Sequence, residues 1–213
     1  MTAHEYGYQV LPGAALDTPG VEAVLRRRER GLRQGAALIA AEAVLLLAAL
    51  LFGGPASLLG GVALAVLVPV MAVTAGVVLL WRRARRKERR VMAVYGWQVW
   101  PCRAEAVRVA SADGERAQGR RWGTAGRIVL LRPDGRSHCS FPLPWDGWEG
   151  PKAPQRHVLD EVWFAGDTRF GGMLAVPGGL PFRYVRRSAP GLGQGAPAED
   201  EAARRAGLMP RKR

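Results

Sequence analysis

Two long apolar runs dominate the pattern of hydrophobic and polar positions along the chain. They cover residues 35–52 and 57–81 and are joined by residues 53–56, which carry no charge. At a rise of 1.5 Å per residue, helices of these lengths approach or exceed the roughly 30 Å hydrocarbon thickness of a bilayer. Because so short a connector allows only a tight turn, the pattern predicts a transmembrane helical hairpin. A buried pair of apolar helices in a soluble protein is the alternative.

Basic residues flank this hairpin on one side only. Five arginines oppose one glutamate in residues 26–33, and seven basic residues oppose one glutamate in residues 82–90. Positive residues near membrane ends stay in the cytoplasm, so we expect a multi-pass protein of the inner (plasma) membrane with both termini cytoplasmic. The residues expected to contact anionic lipid headgroups are Arg26, Arg27, Arg28, Arg82, Arg83, Arg85 and Arg86.

Two polar residues interrupt the apolar runs at matching depth. Glu42 lies seven residues after the start of the first run, and Thr74 lies seven residues before the end of the second. Both therefore lie roughly 10 Å from the same end of an antiparallel hairpin, where the threonine hydroxyl can hydrogen-bond the carboxyl. Two interpretations stay open. The carboxyl is a packing group or homo-oligomer contact, or it is a functional intramembrane group.

After residue 90 the pattern changes to short apolar or alternating runs that are rich in Val, Trp and Phe. Gly/Pro turns separate these runs, which is typical of antiparallel strands. The run at 126–132 is apolar on both faces and predicts a central strand. The predicted fold class is an α+β membrane protein, with the hairpin joined to a small antiparallel β-barrel or curled β-sheet. The predicted strands are residues 97–110, 126–132, 136–143, 157–165, 171–176 and 182–187.

The same pattern predicts a division of the chain into six segments. The early part of the second segment is amphipathic, and the last segment is rich in Gly, Pro and Ala without an apolar period. A short helix at residues 199–206 is an alternative to disorder within that last segment. The segments are a polar N-terminus (1–18), a basic juxtamembrane helix (19–34), the hairpin (35–81), a basic juxtamembrane segment (82–90), a Trp-rich β-domain (91–187) and a disordered tail (188–213).

The net charge of +13 suggests nucleic-acid binding at first. The two clusters that flank the hairpin, however, carry +10 of that charge, and membrane topology already accounts for them. Nucleic acid is therefore not an expected partner. The two cysteines, Cys102 and Cys139, are expected to be reduced thiols in the cytoplasm.

Candidate chemistry in the β-domain is sparse. Trp145 and Trp148 lie in a Gly/Pro-rich loop and are the candidate surface for an extended peptide or for lipid, with burial in the core as the alternative. Asp167 and Arg169 flank a turn and can pair across it. The spacing of the Cys and His residues fits no zinc pattern, and no Gly-rich phosphate loop follows a strand. The sequence predicts no catalytic residue, no cofactor and no metal site.

A short echo links the N-terminus to the β-domain. Residues 6–12, YGYQVLP, match residues 95–101, YGWQVWP, at five of seven positions. A decayed duplication and chance both explain so short a match.

A resemblance to a known group of proteins rests on four strings: YGWQVWPCRAE, VLLRPDGRSHCSFPLP, EVWFAGDTRFGG and the following PGG. Over residues 19–187 the chain resembles a group of actinobacterial two-span integral membrane proteins without an established activity. The resemblance implies location and architecture only.

The expected function is that of a membrane-anchored cytoplasmic interaction or scaffold module that binds a protein partner or its own copies. The alternatives are a membrane-tethered nucleic-acid-binding regulator and an enzyme or transporter subunit centred on Glu42.

Overall fold

Two long helices form one compact unit of the chain, and a curled sheet forms the core of the other. The computed structural model describes residues 3–53, 58–107, 125–142, 160–187 and 195–209. The helical unit is Glu22–Lys87, and the sheet unit combines Met1–Val21 with Glu88–Arg213. The result is an α+β fold, as the hydrophobic pattern predicts.

The helices are α1, Val21–Gly53, and α2, Leu58–Val94. At 1.5 Å per residue they are about 50 and 55 Å long, which exceeds the hydrocarbon thickness of a bilayer. Only 6% of the most apolar stretch of each helix is buried. Both helices are thus long and apolar enough to cross a membrane, and neither serves as the core of the sheet unit.

The two helices approach each other closely at one glycine. A Cβ atom on Gly35 of α1 would lie 2.7 Å from Cγ2 of Val78 on α2, which is closer than carbon atoms pack. Val78 is only 8% exposed, whereas most of the large apolar side chains around it in sequence are exposed. The contact between α1 and α2 therefore depends on a residue without a side chain at position 35.

The six strands of the described chain form one antiparallel sheet in the order β3-β2-β1-β4-β5-β6. The sheet curls into a half-barrel in which β3 and β6, at the two ends of that order, approach each other. Each strand lies within a few residues of its predicted position. The strands are β1 (Gln98–Val107), β2 (Ala125–Leu131), β3 (Ser137–Pro142), β4 (Glu161–Asp167), β5 (Gly171–Ala175) and β6 (Phe182–Arg186).

Aromatic and branched side chains fill the concave side of the sheet. Trp100, Phe141 and Phe164 are at most 1% exposed, and the rings of Phe141 and Phe164 stack with centroids 5.2 Å apart. Residues 128–130 of β2 are all buried, in agreement with the prediction of a central strand. At Gly172 a Cβ atom would collide with the Ala165 carbonyl, so the close approach of β5 to β4 requires glycine there.

The N-terminal residues belong to the sheet unit, which corrects their assignment as a separate polar segment (1–18). A β-bridge joins Val10 to Gln98, and backbone hydrogen bonds run from Leu11 N to Trp97 O (2.8 Å) and from Val99 N to Gln9 O (2.9 Å). These residues extend the sheet beside β1, in the stretch where β1 has no pairing with β2. The β-domain therefore includes more of the chain than residues 91–187.

A helix, α3 (Pro197–Arg205), forms where the sequence offered a short helix at 199–206 as the alternative to a disordered tail (188–213). Residues 188–194 and 210–213 of that tail lie outside the described residues. Pro197 starts the helix, and the Glu199 carboxylate accepts a hydrogen bond from Ala196 N at 3.2 Å. Gly207, at φ +68°, ends it with the Schellman bond from Leu208 N to Ala203 O. Ala203 and Leu208 are buried, so α3 packs against the sheet unit although it has few large apolar residues.

Candidate functional site

The helical unit places Glu42 and Thr74, the polar residues of the two apolar runs, side by side. Thr74 Oγ1 donates to Val70 O at 2.9 Å and lies 3.4 Å from Glu42 Oε1. A hydroxyl can donate only one hydrogen bond, and Thr74 donates it to the closer acceptor, Val70 O. The contact of Thr74 with the Glu42 carboxyl is therefore weak. The matching depth counted from the sequence correctly placed the two side chains together.

Glu42 is buried with incomplete hydrogen bonding. The residue is 9% exposed, and its Oε2 atom has no hydrogen-bond partner among the described residues. A buried polar atom without a partner costs free energy and is uncommon in folded proteins, so its presence calls for a physical reason. Chemically, this carboxyl can accept a proton, a small cation or a hydrogen-bond donor from a neighbouring helix.

The seven predicted lipid-contacting arginines lie on the polar ends of the two helices. Arg26, Arg27, Arg82, Arg83 and Arg86 are exposed, while Arg28 and Arg85 are half-buried. Arg26 makes a long ion pair with Glu22, 3.7 Å, one turn away on α1. Exposed pairs of this kind contribute little to stability.

A second group of polar residues joins α3 to the turn between β4 and β5. The Arg169 guanidinium donates to both carboxylate oxygens of Asp167, with Nη2 2.6 Å from Oδ2, and its Nη1 donates to Asp200 Oδ1 at 2.7 Å. The hydrogen bonds to Asp167 raise the pKa of Arg169, and those to Asp200 add to the effect. The sequence predicted the pair across the turn but contained no signal for Asp200.

An aromatic groove on the concave side of the sheet holds the N-terminal segment. We define the aromatic groove by four residues, Gln98, Trp100, Leu131 and His138, and the N-terminal segment as residues 3–11. The Trp100 and His138 rings stack at 5.1 Å. Tyr6 and Tyr8 of the segment meet Trp100 edge-on, at 5.9 and 5.3 Å.

Hydrogen bonds fix the register of the segment in the groove. Gln98 Oε1 accepts from Ala3 N at 3.1 Å, and its Nε2 donates to the carbonyl of Gly166. Tyr8 OH donates to Leu131 O at 3.1 Å, and Tyr6 OH lies 3.4 Å from His138 Nδ1. These hydrogen bonds hold the N-terminal segment in one position on the sheet.

His138 is neutral in this groove. Burial, followed by the positive charges of Arg132, the N-terminus and Arg187, lowers the pKa of His138 to about 4. Its Nε2 lies 3.1 Å from Thr168 Oγ1, so both ring nitrogens are within hydrogen-bond distance of a hydroxyl. The contact of His138 with Tyr6 joins residues 132 positions apart, and no local pattern in the sequence indicates it.

The metal-capable residues do not converge in the described part of the chain, where no group of three or more Cys, His, Asp or Glu side chains is placed to hold a metal ion. Cys102 on β1 and Cys139 on β3 are separated by Leu130 of the intervening strand. Both are buried thiols outside any disulfide, and burial raises the pKa of each to about 12.

The candidate interaction surface at Trp145 and Trp148 lies outside the described residues. It stays a prediction.

This chain matches no protein-family model, no curated protein and no solved structure. The resemblance to actinobacterial two-span membrane proteins therefore also stays a prediction, and any statement on function rests on the geometry described above.

Proposed function

We propose that this chain is a membrane-anchored interaction module whose β-domain lies in the cytoplasm. One observation carries the proposal: only 6% of the most apolar stretch of each helix is buried, so two long apolar surfaces need a cover that the described part of the chain does not supply. Lipid is that cover, because basic residues lie at the polar ends of both helices and the connector has no charge.

The surface of the β-domain favours binding of a protein over binding of a polyanion through net charge. Its exposed arginines Arg103 and Arg127 both bind Glu105, at 2.7 and 2.6 Å, so this part of the surface is partly neutralised. The aromatic groove, by contrast, holds residues 3–11 of the same chain, a 3-10 turn followed by a short paired stretch, by main-chain and side-chain hydrogen bonds. A protein partner or a second copy suits such a surface better than a nucleic acid.

An alkaline wash tests the anchor, and thiol labelling tests its orientation. The protein should stay in the membrane pellet after washing at alkaline pH, as integral proteins do, and release by the wash would refute the anchor. Ser137→Cys, at an exposed position of β3, should resist a membrane-impermeant maleimide in intact cells and react after lysis alone. Cys102 and Cys139 should react only after lysis and denaturation, since both are buried and protonated at neutral pH. Labelling of Ser137→Cys from outside intact cells would reverse the orientation.

Glu42 favours a second candidate function, that of an enzyme or transporter subunit. Its buried Oε2 atom without a partner among the described residues is the specific observation. The test is ion or proton flux into reconstituted vesicles that hold a pH-sensitive dye, with Glu42→Gln as the matched variant. Flux that the variant abolishes would establish this function, whereas equal dye responses from both proteins would leave the carboxyl a packing group.

A further inference from the structure

Glu42 is the only ionisable residue in the apolar part of the helical unit. Residues 35–81 contain no other Asp or Glu and no Lys, Arg or His. The nearest cationic side chain on α1, Arg33, lies nine residues before Glu42, and the nearest on α2, Arg82, lies eight residues after Thr74. At 1.5 Å per residue these arginines are about 13 and 12 Å farther along the helix axes. The apolar runs therefore contain no cation that neutralises this carboxyl.

The hydroxyl beside the carboxyl is not available as its donor. Thr74 Oγ1 donates its single proton to Val70 O, 2.9 Å away and one turn earlier on α2. The hydroxyl then has only lone pairs to offer to Glu42 Oε1, which lies 3.4 Å away. Two oxygen atoms that present lone pairs to each other repel unless a positive charge lies between them. The arrangement therefore fits a carboxylate with a bound cation.

The charge of the site limits the choice of ligand. A carboxylate without a counter-charge is costly in hydrocarbon, and one positive charge cancels it. A divalent ion would leave a net charge of the opposite sign and would need further carboxylates, which residues 35–81 do not contain. The ligand class is thus a small monovalent cation.

We propose that Glu42 and Thr74 form a binding site for one monovalent cation, a proton or a sodium ion. The proton would reside on the carboxyl and be donated to Thr74 Oγ1, whereas sodium would be bound by the carboxylate oxygens and Thr74 Oγ1. Oε2 of Glu42, which has no hydrogen-bond partner among the described residues, is the second carboxylate oxygen open to such a ligand. This inference rests on the proposed membrane anchor, because lipid around the helices is what excludes water from the carboxyl.

An apolar carbodiimide tests the site in the full-length protein in detergent. Dicyclohexylcarbodiimide reacts with protonated carboxyls in apolar surroundings, and mass spectrometry locates the product. We expect it to label Glu42, at a rate that falls as the pH is raised. Glu22 is the control carboxyl because its side chain is 50% exposed, and it should react with a water-soluble carbodiimide instead.

The salt in the buffer distinguishes the two cations. If sodium is the ligand, sodium chloride should slow the labelling of Glu42, whereas choline chloride at the same concentration should not. If the proton is the ligand, the two salts should act alike and only the pH should change the rate. Either result supports a site for one monovalent cation.

Two substitutions test the role of the Thr74 oxygen. Thr74→Val keeps the shape of the side chain and removes the oxygen, whereas Thr74→Ser keeps the oxygen and is the matched control. We expect Thr74→Val to bind the cation about tenfold more weakly, as the loss of one such contact entails. Half-maximal labelling would then need about tenfold more protons, or half-maximal protection about tenfold more sodium. Thr74→Ser should stay close to the wild type.

Three results would overturn the site. Equal or tighter cation binding by Thr74→Val would show that the hydroxyl donates to the carboxylate rather than accepting from the ligand. Reaction of Glu42 with the water-soluble carbodiimide as readily as Glu22 would show that water reaches the carboxyl. Failure of the apolar reagent to label Glu42 in the folded wild type at any pH would show that the carboxyl holds no proton. The last two need no variant, so they decide the matter even if Thr74→Val fails to fold.

Failure of this site can be told from failure of the proposed function. Labelling in detergent requires neither a membrane nor the movement of ions. Release by the alkaline wash would refute the anchor alone. Labelling of Glu42 without flux into vesicles would keep the cation site and refute only the transporter subunit.

Discussion

At the scale of single residues, the buried Asp167–Arg169–Asp200 group should contribute strongly to stability. Arg169→Met leaves Asp167, whose side chain is 7% exposed, buried without its cation, and should lower the free energy of unfolding by about 3–5 kcal/mol. Asp200→Asn should cost about 1 kcal/mol, because the Asp200 side chain is 28% exposed and Arg169 keeps both bonds to Asp167.

The measurement is denaturant unfolding of the full-length protein, followed by tryptophan fluorescence. Arg136→Met is the control, since this arginine is 84% exposed and lies 3.7 Å from Asp134. It should change the free energy of unfolding by less than about 0.5 kcal/mol. Equal losses from Arg169→Met and Arg136→Met would show that the buried group does not stabilise the fold.

His138 predicts a pH dependence of stability. Its pKa is about 4 in the folded protein and about 6.5 in the unfolded chain. Between these values the unfolded chain binds a proton that the folded state does not, so stability falls as the pH is lowered from about 6.5 towards 4.

The unfolding midpoint, measured across this range, should depend less steeply on pH in His138→Gln than in the wild type. His4→Gln is the matched control because His4 is exposed, and it should keep the wild-type slope. A slope unchanged by His138→Gln would mean that other groups cause the acid sensitivity.

At the scale of elements, α3 should be a structural part of the sheet unit. A chain that ends at residue 194 loses buried Ala203, Ala206 and Leu208 together with the Asp200 carboxylate. Its unfolding midpoint should be lower than that of Asp200→Asn, because the apolar contacts are lost as well as the ion pair. Glu201→Ala, on the exposed face of α3, should leave the midpoint unchanged. A truncated chain as stable as Asp200→Asn would show that the buried face of α3 contributes nothing.

The elements that could be predicted are those with a local signal. Alternation and Gly/Pro turns located all six strands, and continuous apolar residues identified β2 as central. The N-terminal segment gave no such signal, because its buried residue Ala3 is too small to produce an apolar period. A helix at residues 199–206 was predicted only as an alternative to disorder, since the buried residues Ala203 and Ala206 of α3 are equally small.

The candidate sites also divide into those that a local sequence pattern predicts and those that it does not. The contact between Glu42 and Thr74 followed from a count of residues along two predicted helices. The contacts of Asp200 with Arg169 and of Tyr6 with His138 join elements that are distant in sequence, and no local pattern indicates which partners such side chains find.

At the scale of the whole molecule, the distribution of charge separates lipid binding from nucleic-acid binding. Twelve basic residues lie beside the apolar runs. A Lys or Arg close to an anionic membrane typically contributes about 1 kcal/mol to binding it. In the sheet unit Arg103 and Arg127 share Glu105, so they offer little net charge to a phosphate backbone. The full-length protein should therefore insert into anionic liposomes in preference to neutral ones, and bind DNA or RNA only weakly at physiological salt.

Replacing Arg82, Arg83, Arg85 and Arg86 by glutamine should reduce the preference for anionic over neutral liposomes by more than about tenfold, as the loss of four surface charges requires. Arg103→Gln/Arg127→Gln is the matched control and should leave that preference unchanged, because these arginines already bind a carboxylate. Flotation with liposomes measures the preference for anionic over neutral lipid. Fluorescence anisotropy with labelled duplex and single-stranded oligonucleotides measures nucleic-acid binding. The contrary result is submicromolar binding to the oligonucleotides that falls steeply with salt and that Arg103→Gln/Arg127→Gln abolishes. It would refute the proposed interaction module and favour a nucleic-acid-binding regulator.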